Sequence, residues 1–273
     1  MPTTAEKRTI FRELHASGCF VIPNPWDIGS ARYLQSLGFK ALASTSSGFA
    51  WSQGHSDNAV SRDHVLAHLR MLVEATDLPV NADFENGFGA DPAAVAESVG
   101  LAVDTGVAGL SIEDSTGNPA SPLFSVDEAV ERLKMARRAI DAKGGDTLLV
   151  ARAENFIVGD NDLDDAIARL QAYAAAGADC LYVPGIAGRE AIGRVVQAVA
   201  PKPVNLLIGA NSELTLEEVA ALGVRRVSVG GALARGAWGG FMQAAAALAA
   251  GRFDGFAQAA SGAELDRFFN GAR

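Results

Sequence analysis

Residues 79–89 read "PVNADFENGFG". A β-prone entry carries two carboxylates two positions apart, Asp83 and Glu85, and runs into a loop with Gly87 and Gly89. If the strand persists, side chains two apart share a face, so the pair points one way. Apolar runs of the same kind recur at 19–24 (CFVIPN), 41–45 (ALAST), 109–114 (GLSIED) and 147–153 (TLLVARA). Three more follow at 180–185 (CLYVPG), 203–208 (PVNLLI) and 225–230 (RRVSVG). Strands this evenly apolar belong to a parallel sheet buried on both faces.

Helical apolar spacing fills the gaps, at 28–37, 65–73, 93–103, 129–140 and 163–176. "SLGFKAL", "DTGVAGL", "AAGADCL" and "ALGVRRV" each read as a helix tail, a glycine for the left-handed C′ position, and a strand. Eight strand–helix units in 273 residues predict an α/β fold, a (β/α)8 TIM-type barrel, as a single domain over 1–273. More helix follows strand eight than the eighth unit needs. Residues 251–273 are expected to form a C-terminal helical extension. Its Phe253, Phe256, Phe268 and Phe269 must bury on this barrel or on a neighbouring subunit.

A net charge of −9 provides no footprint for nucleic acid or an anionic membrane, so neither is an expected partner. The first residues, "MPTTAEKRTIF", have no apolar run of a secretory signal, and no stretch approaches the length of a membrane span. Two cysteines, Cys19 and Cys180, fit a reducing cytoplasm. A soluble cytoplasmic protein is expected.

Active sites of such barrels lie at the carboxyl ends of the strands. The residues there are Asn24 and Trp26 after strand one, Ser46, Ser47, Gly48 and Asp57 after strand two, and Asp83 and Glu85 from strand three. Strand four ends in Glu113 and Asp114, strand five in Arg152 and Glu154, and strand seven carries Asn205. Carboxylates converging from four strands, with few histidines, suit a hard cation, Mg²⁺ or Mn²⁺, held partly through water. Arg152 is placed to clamp a substrate carboxylate or to pair with Glu154 or Glu113. A Schiff-base lysine is excluded, because Lys7, Lys40, Lys134, Lys143 and Lys202 all fall away from the strand ends.

The stretches "NPWDIGSARYLQSLGFKAL", "STSSGFAWSQGHSD", "VNADFENGFG", "GVAGLSIEDS", "LLVARAENF" and "AGADCLYVPG" carry a resemblance. From about Phe11 to Gly251 the chain resembles the isocitrate lyase / phosphoenolpyruvate mutase superfamily. The resemblance implies a Mg²⁺-dependent barrel that makes or breaks a bond beside a 2-oxo acid through an enolate. It also implies a terminal helix swapped onto a partner in a homodimer or homotetramer. It implies that Ser47, Gly48 and Phe49 bind substrate oxygens; Trp26, after strand one, and Asn205, on strand seven, are expected to bind substrate with them. Asp83 would touch the metal, Glu85, Asp57 and Glu113 would complete its shell, and Arg152 would bind substrate.

Two departures matter. Glu85 stands where the family's second aspartate is expected. The loop after strand four, "DSTGNPASPLF", lacks the Lys-Cys-Gly-His signature of the isocitrate and methylisocitrate lyases. Asn118 is the counterpart of the asparagine that phosphonopyruvate-handling members carry there, so Asp57, Glu113, Arg152 and Asn118 form the expected catalytic set. The expected activity is cleavage or decarboxylation of a small 2-oxo or 2-hydroxy dicarboxylate, oxaloacetate- or methylisocitrate-like. The alternatives are phosphoenolpyruvate/phosphonopyruvate mutase or hydrolase chemistry, and a 2-oxo acid binding protein without turnover.

Overall fold

The computed structural model describes residues 2–271, so the last two residues of the expected extension lie outside the described residues. The strands are β1 (Phe20–Ile22), β2 (Leu42–Ala43), β3 (Val80–Asp83) and β4 (Gly109–Glu113). They continue with β5 (Leu148–Arg152), β6 (Cys180–Tyr182), β7 (Val204–Leu207) and β8 (Arg226–Ser228). All pairs are parallel, in the order β1-β8-β7-β6-β5-β4-β3-β2. The Ala43 N–H donates to the Pro23 carbonyl at 3.0 Å and links β1 to β2, so the barrel is nearly closed. This is the (β/α)8 architecture expected.

The helices are α1 (Thr4–Ala16), α2 (Ile28–Ser36), α3 (Ser46–Ser52), α4 (Arg62–Ala75), α5 (Pro92–Asp104) and α6 (Val126–Ala142). After them come α7 (Leu163–Ala175), α8 (Arg189–Val199), α9 (Leu216–Ala221), α10 (Ala232–Ala249) and α11 (Gly262–Gly271). Their starts follow local chemistry: Asp91 caps the Ala94 N–H ahead of Pro92, and Ser125 and Glu128 form a capping box. Gly38, Gly106, Gly177 and Gly223 all take positive φ between helix and strand, the conformation a side chain resists. Among the described residues, no helix is long and apolar enough to cross a membrane.

The main core lies between barrel wall and helices, with Phe84, Leu110, Leu149 and Leu181 packed among Leu69 and Tyr173. Inside the barrel, Phe11 of α1 plugs the lower end against Phe20, Ile22 and Leu148. Above that plug the interior becomes polar, which prepares the site. At the other end of the chain, Phe268 of α11 meets Tyr33 of α2 edge-on at 5.4 Å. Phe253 is 79% exposed in the single chain.

His15 sits at the plug, between the rings of Phe11 and Phe20. Its Nδ1 lies 2.7 Å from the Phe11 carbonyl and its Nε2 3.3 Å from Arg226 Nη1. A guanidinium only donates, so Nε2 is the acceptor and the proton stays on Nδ1. Burial and the Arg226 charge push its pKa down to about 3, and burial brings His68 down to about 4. The unfolded chain takes up these protons near its ordinary value of 6.5, whereas the folded chain does not. Stability is therefore full above pH 6.5 and falls as the pH drops. His15 alone removes roughly 5 kcal/mol by the bottom of its window. Melting temperature is expected to fall between pH 6.5 and 4, with a shallower slope in His15→Gln; an unchanged slope would discard the explanation.

Candidate active site

The carboxyl ends of β3, β4 and β5 bring their charges to one point. Arg152 Nη1 donates to Asp83 Oδ1 at 2.8 Å and lies 3.1 Å from Glu113 Oε2. Its Nε and Nη2 reach Glu154 Oε1 at 2.9 and 2.8 Å, and its guanidinium lies 5.1 Å from the centre of the Tyr182 ring. Burial disfavours the Arg152 charge, but Glu154, Glu113 and Asp83 outweigh it, so the guanidinium stays protonated. Asp83 is held on its other side by the Ser46 N–H at 2.9 Å, while its own N–H donates to Ser44 Oγ at 2.8 Å. A cavity of about 160 Å³ opens beside these groups, lined by Asp83, Arg152, Asp57, Ser46, Ser47 and inward residues of the barrel. A groove of about 900 Å³ adjoins it, sharing Ser47, Asp57, Gly230 and Gly231. Of the two, only the smaller chamber is lined by Asp83 and Arg152.

Asp83 and Glu85 do not share a strand face. β3 ends at Asp83, and Glu85 turns the chain at φ +46° while Glu113 N–H donates to its carbonyl at 2.9 Å. A positive φ is strained for glutamate. Gly87 follows at φ +87°, and a Cβ on Gly89 would lie 2.3 Å from the Val95 backbone nitrogen, so the loop returns tightly onto α5. Arg132 fixes that return, donating to the carbonyls of Asn86 at 3.0 Å and Gly89 at 2.7 Å. Burial, then Asp83 and Asp57, push the Glu85 carboxyl up to about 8. Partial burial and Asp83 likewise raise Asp57, against hydrogen bonds from Ser46 and Asn58. Burial is the main cause raising Glu113, with Arg152 opposing it.

These carboxylates oppose one another, which is the condition a cation relieves. Among the described residues, no three Asp, Glu, His or Cys side chains are gathered closely enough to chelate an ion by themselves. The oxygen-only donor set fits Mg²⁺ held by one or two carboxylates, with water and substrate oxygens completing the shell.

Several expected site residues lie elsewhere. The serine-rich stretch is helix α3, capped by Thr45, whose hydroxyl takes the Gly48 N–H at 3.2 Å. Gly48 is a packing glycine: a Cβ there would lie 2.7 Å from Thr45 Cγ2 and 3.1 Å from Trp26 Cβ. Trp26 is half-buried and absent from the cavity wall. Phe49 stacks on His68 at 3.9 Å in the core, because the α3 turn points it away from the mouth. Asn205 is fully buried, its amide spent on Ser228 and Arg226. Asn118 is exposed, and its side chain caps its own turn at the Ala120 N–H. Of the expected substrate-binding residues, Ser47 and Arg152 line the cavity.

Sequence reading missed Asn81, Ser111, Tyr182, Arg226 and Ser228, all in the cavity wall. A signal was present: Asn81 and Ser111 stand two residues before Asp83 and Glu113, and Arg226 two before Ser228, on the same inward face.

The family model described as phosphoenolpyruvate phosphomutase matches residues 11–249. A crystal structure from Burkholderia cenocepacia J2315, assigned provisionally as a lyase/mutase, superposes with a TM-score of 0.94 at 49% identity, over 98% of this chain and 97% of that one. A 2,3-dimethylmalate lyase gives a TM-score of 0.84 at 27% identity over 98% and 95%. An oxaloacetate decarboxylase of Paraburkholderia xenovorans (strain LB400) is 30% identical over 83% of this chain and 75% of its own length. The last two are enzymes of the carbon–carbon lyase kind expected here. The chain belongs to the phosphoenolpyruvate phosphomutase family, within the PEP mutase/isocitrate lyase superfamily.

Proposed function

We propose that this protein is a divalent-metal-dependent carbon–carbon lyase or decarboxylase for a small 2-oxo or 2-hydroxy dicarboxylate. The observation that carries the reading is the meeting of Asp83 and Glu113 on Arg152, with Asp83 and Arg152 lining the cavity beside them. Asp83 would hold Mg²⁺ (or Mn²⁺) directly, with Asp57, Glu85 and Glu113 acting through its water. A bound cation supplies Lewis-acid stabilisation of the oxyanion that develops as the bond breaks, a contribution of several kcal/mol.

The chain's own groups bind and orient. Arg152 Nη1 is shared between Asp83 and Glu113, and it is the donor placed to pass to a substrate carboxylate. Tyr182 and Glu154 hold the guanidinium plane while that exchange occurs. The Ser47 hydroxyl, 3.1 Å from Thr45 Oγ1, supplies a polar group at the rim. The loop after β4 is tied by its own bridge between Ser115 and Leu123, and Phe124 lies under Arg132 with 4.3 Å between guanidinium and ring centre. That leaves the rim without a cysteine or histidine acid from this loop, which suits a reaction whose first product needs no strong proton donor.

The test is proton NMR of pyruvate's methyl group in D₂O, with protein and Mg²⁺. Metal-dependent exchange supports the reading. Bound pyruvate without exchange would move the assignment to phosphonate chemistry or to a binding protein without turnover.

We also propose a homodimer or homotetramer formed through α10 and the segment beyond it. Phe241 and Met242 are each 62% exposed, next to exposed Trp238, and single chains rarely leave such a face open. Light scattering that returns a monomer mass at micromolar concentration would end that proposal.

A further inference from the structure

Arg226 is 2% exposed inside the barrel, at the base of the cavity below Ser228. Its Nε donates to Asn205 Oδ1 at 2.8 Å, and its Nη1 faces Asn81 Oδ1 and His15 Nε2, each at 3.3 Å. Each of these acceptors is neutral, and no protein acceptor meets Nη2 among the described residues. A buried cation is ordinarily paired with a carboxylate, because desolvation otherwise penalises it heavily. The carboxylates of this site are instead gathered on Arg152, one layer higher. Barrel interiors at this level are normally filled by branched apolar side chains. Here the layer is a guanidinium set among amides and hydroxyls, and it lines a chamber that opens to the catalytic rim.

We propose that Arg226 makes the cavity floor an anion subsite that takes the second carboxylate of the substrate. The inference rests on the proposed 2-oxo or 2-hydroxy acid chemistry and narrows its substrate class. A guanidinium with neutral partners offers an incoming carboxylate a full charge and free N–H geometry. It also separates the two reactions still open. A carboxylate lost as CO₂ leaves its bonding electron pair on the neighbouring carbon and gives up its charge. A cation resting on it would stabilise the starting state and oppose that loss. The floor arginine therefore fits a second carboxylate that the substrate keeps while another carbon–carbon bond is cleaved.

The test compares malate with lactate, which share the 2-hydroxy acid end and differ in the second carboxylate. Binding of each to the intact protein with Mg²⁺ is measured calorimetrically. Malate is expected to bind at least about tenfold more tightly, the usual worth of a hydrogen bond to a charged group. In Arg226→Gln the malate-to-lactate ratio falls towards one. Asn205→Asp is the second variant, in case the first does not fold. It is isosteric, keeps the acceptor on Nε and neutralises the guanidinium, so it should collapse the ratio as well. Equal affinities in the wild type, or an intact ratio in a folded Asn205→Asp protein, overturn the floor subsite alone. Failure of both acids to bind overturns the broader reading and this inference with it.

Discussion

Asp83→Asn is expected to slow Mg²⁺-dependent exchange of pyruvate's methyl protons by roughly 10²–10³-fold, the effect of removing one electrostatic contact from a preorganised site. The substitution keeps the shape and removes the charge. Asp83 joins three elements: its Oδ1 receives Arg152 Nη1, its Oδ2 receives the first amide of α3, and its N–H is fixed by Ser44 on the β2 side. No other carboxylate in the site combines an accessible position with fixed orientation. Glu113 is covered and lies against Arg152, while Asp57 sits at the rim on an exposed loop. Melting should move by only a few degrees, because the ring of contacts around Arg152 retains Glu113 and Glu154. Wild-type exchange in the variant would remove Asp83 from the metal site.

The largest loss of stability is expected one layer away from the chemistry. By sequence position Asp114 belongs with the mouth acids, but it is 3% exposed and turned outward beneath α7. Its Oδ2 receives Arg169 Nη1 at 3.0 Å and the Tyr173 hydroxyl at 2.6 Å; its Oδ1 receives the Glu154 N–H at 2.8 Å. Arg169 also donates to the Phe124 carbonyl at 2.9 Å, so this network fixes the loop after β4 and the start of the loop after β5 together. Asp114→Ala leaves the buried Tyr173 phenol without its acceptor and strips the Arg169 guanidinium of one of its two carboxylates, the other being Asp165 at 2.7 Å. The expected cost is roughly 3–5 kcal/mol, a fall of about 6–20 °C in melting temperature. Asp114→Ala combined with Arg169→Met should recover part of the loss, since the buried charge left with one carboxylate fewer goes with its partner. A shift of the single variant below about 2 °C would show that the network contributes little.

The order of elements could be read directly. Alternating apolar runs, Gly38, Gly106, Gly177 and Gly223 after helices, and caps such as Asp91–Pro92 are local signals, and the barrel follows from them. The same reading located Asp83, Glu113 and Arg152, because strand ends in such a fold share one mouth. It could not foresee that β3 stops at Asp83 and bends at Glu85, since a left-handed residue is held by contacts with β4 and α5 rather than by its own preference. It misplaced Phe49 and Gly48 because a short capped helix looks like a loop when only its serines are read.

The succession of units and the acid-rich strand ends are local features, written in periodicities of a few residues. The tertiary structure alone decided which polar side chains face inward and what they meet there. "RRVSVG" presents two adjacent arginines with nothing local to separate them. Arg225 reaches out to the Gly18 carbonyl, while Arg226 turns into the barrel among Asn205, Asn81 and His15. The pleat requires neighbours to point to opposite faces, but only closure of the sheet against α1 determines which of the two is buried.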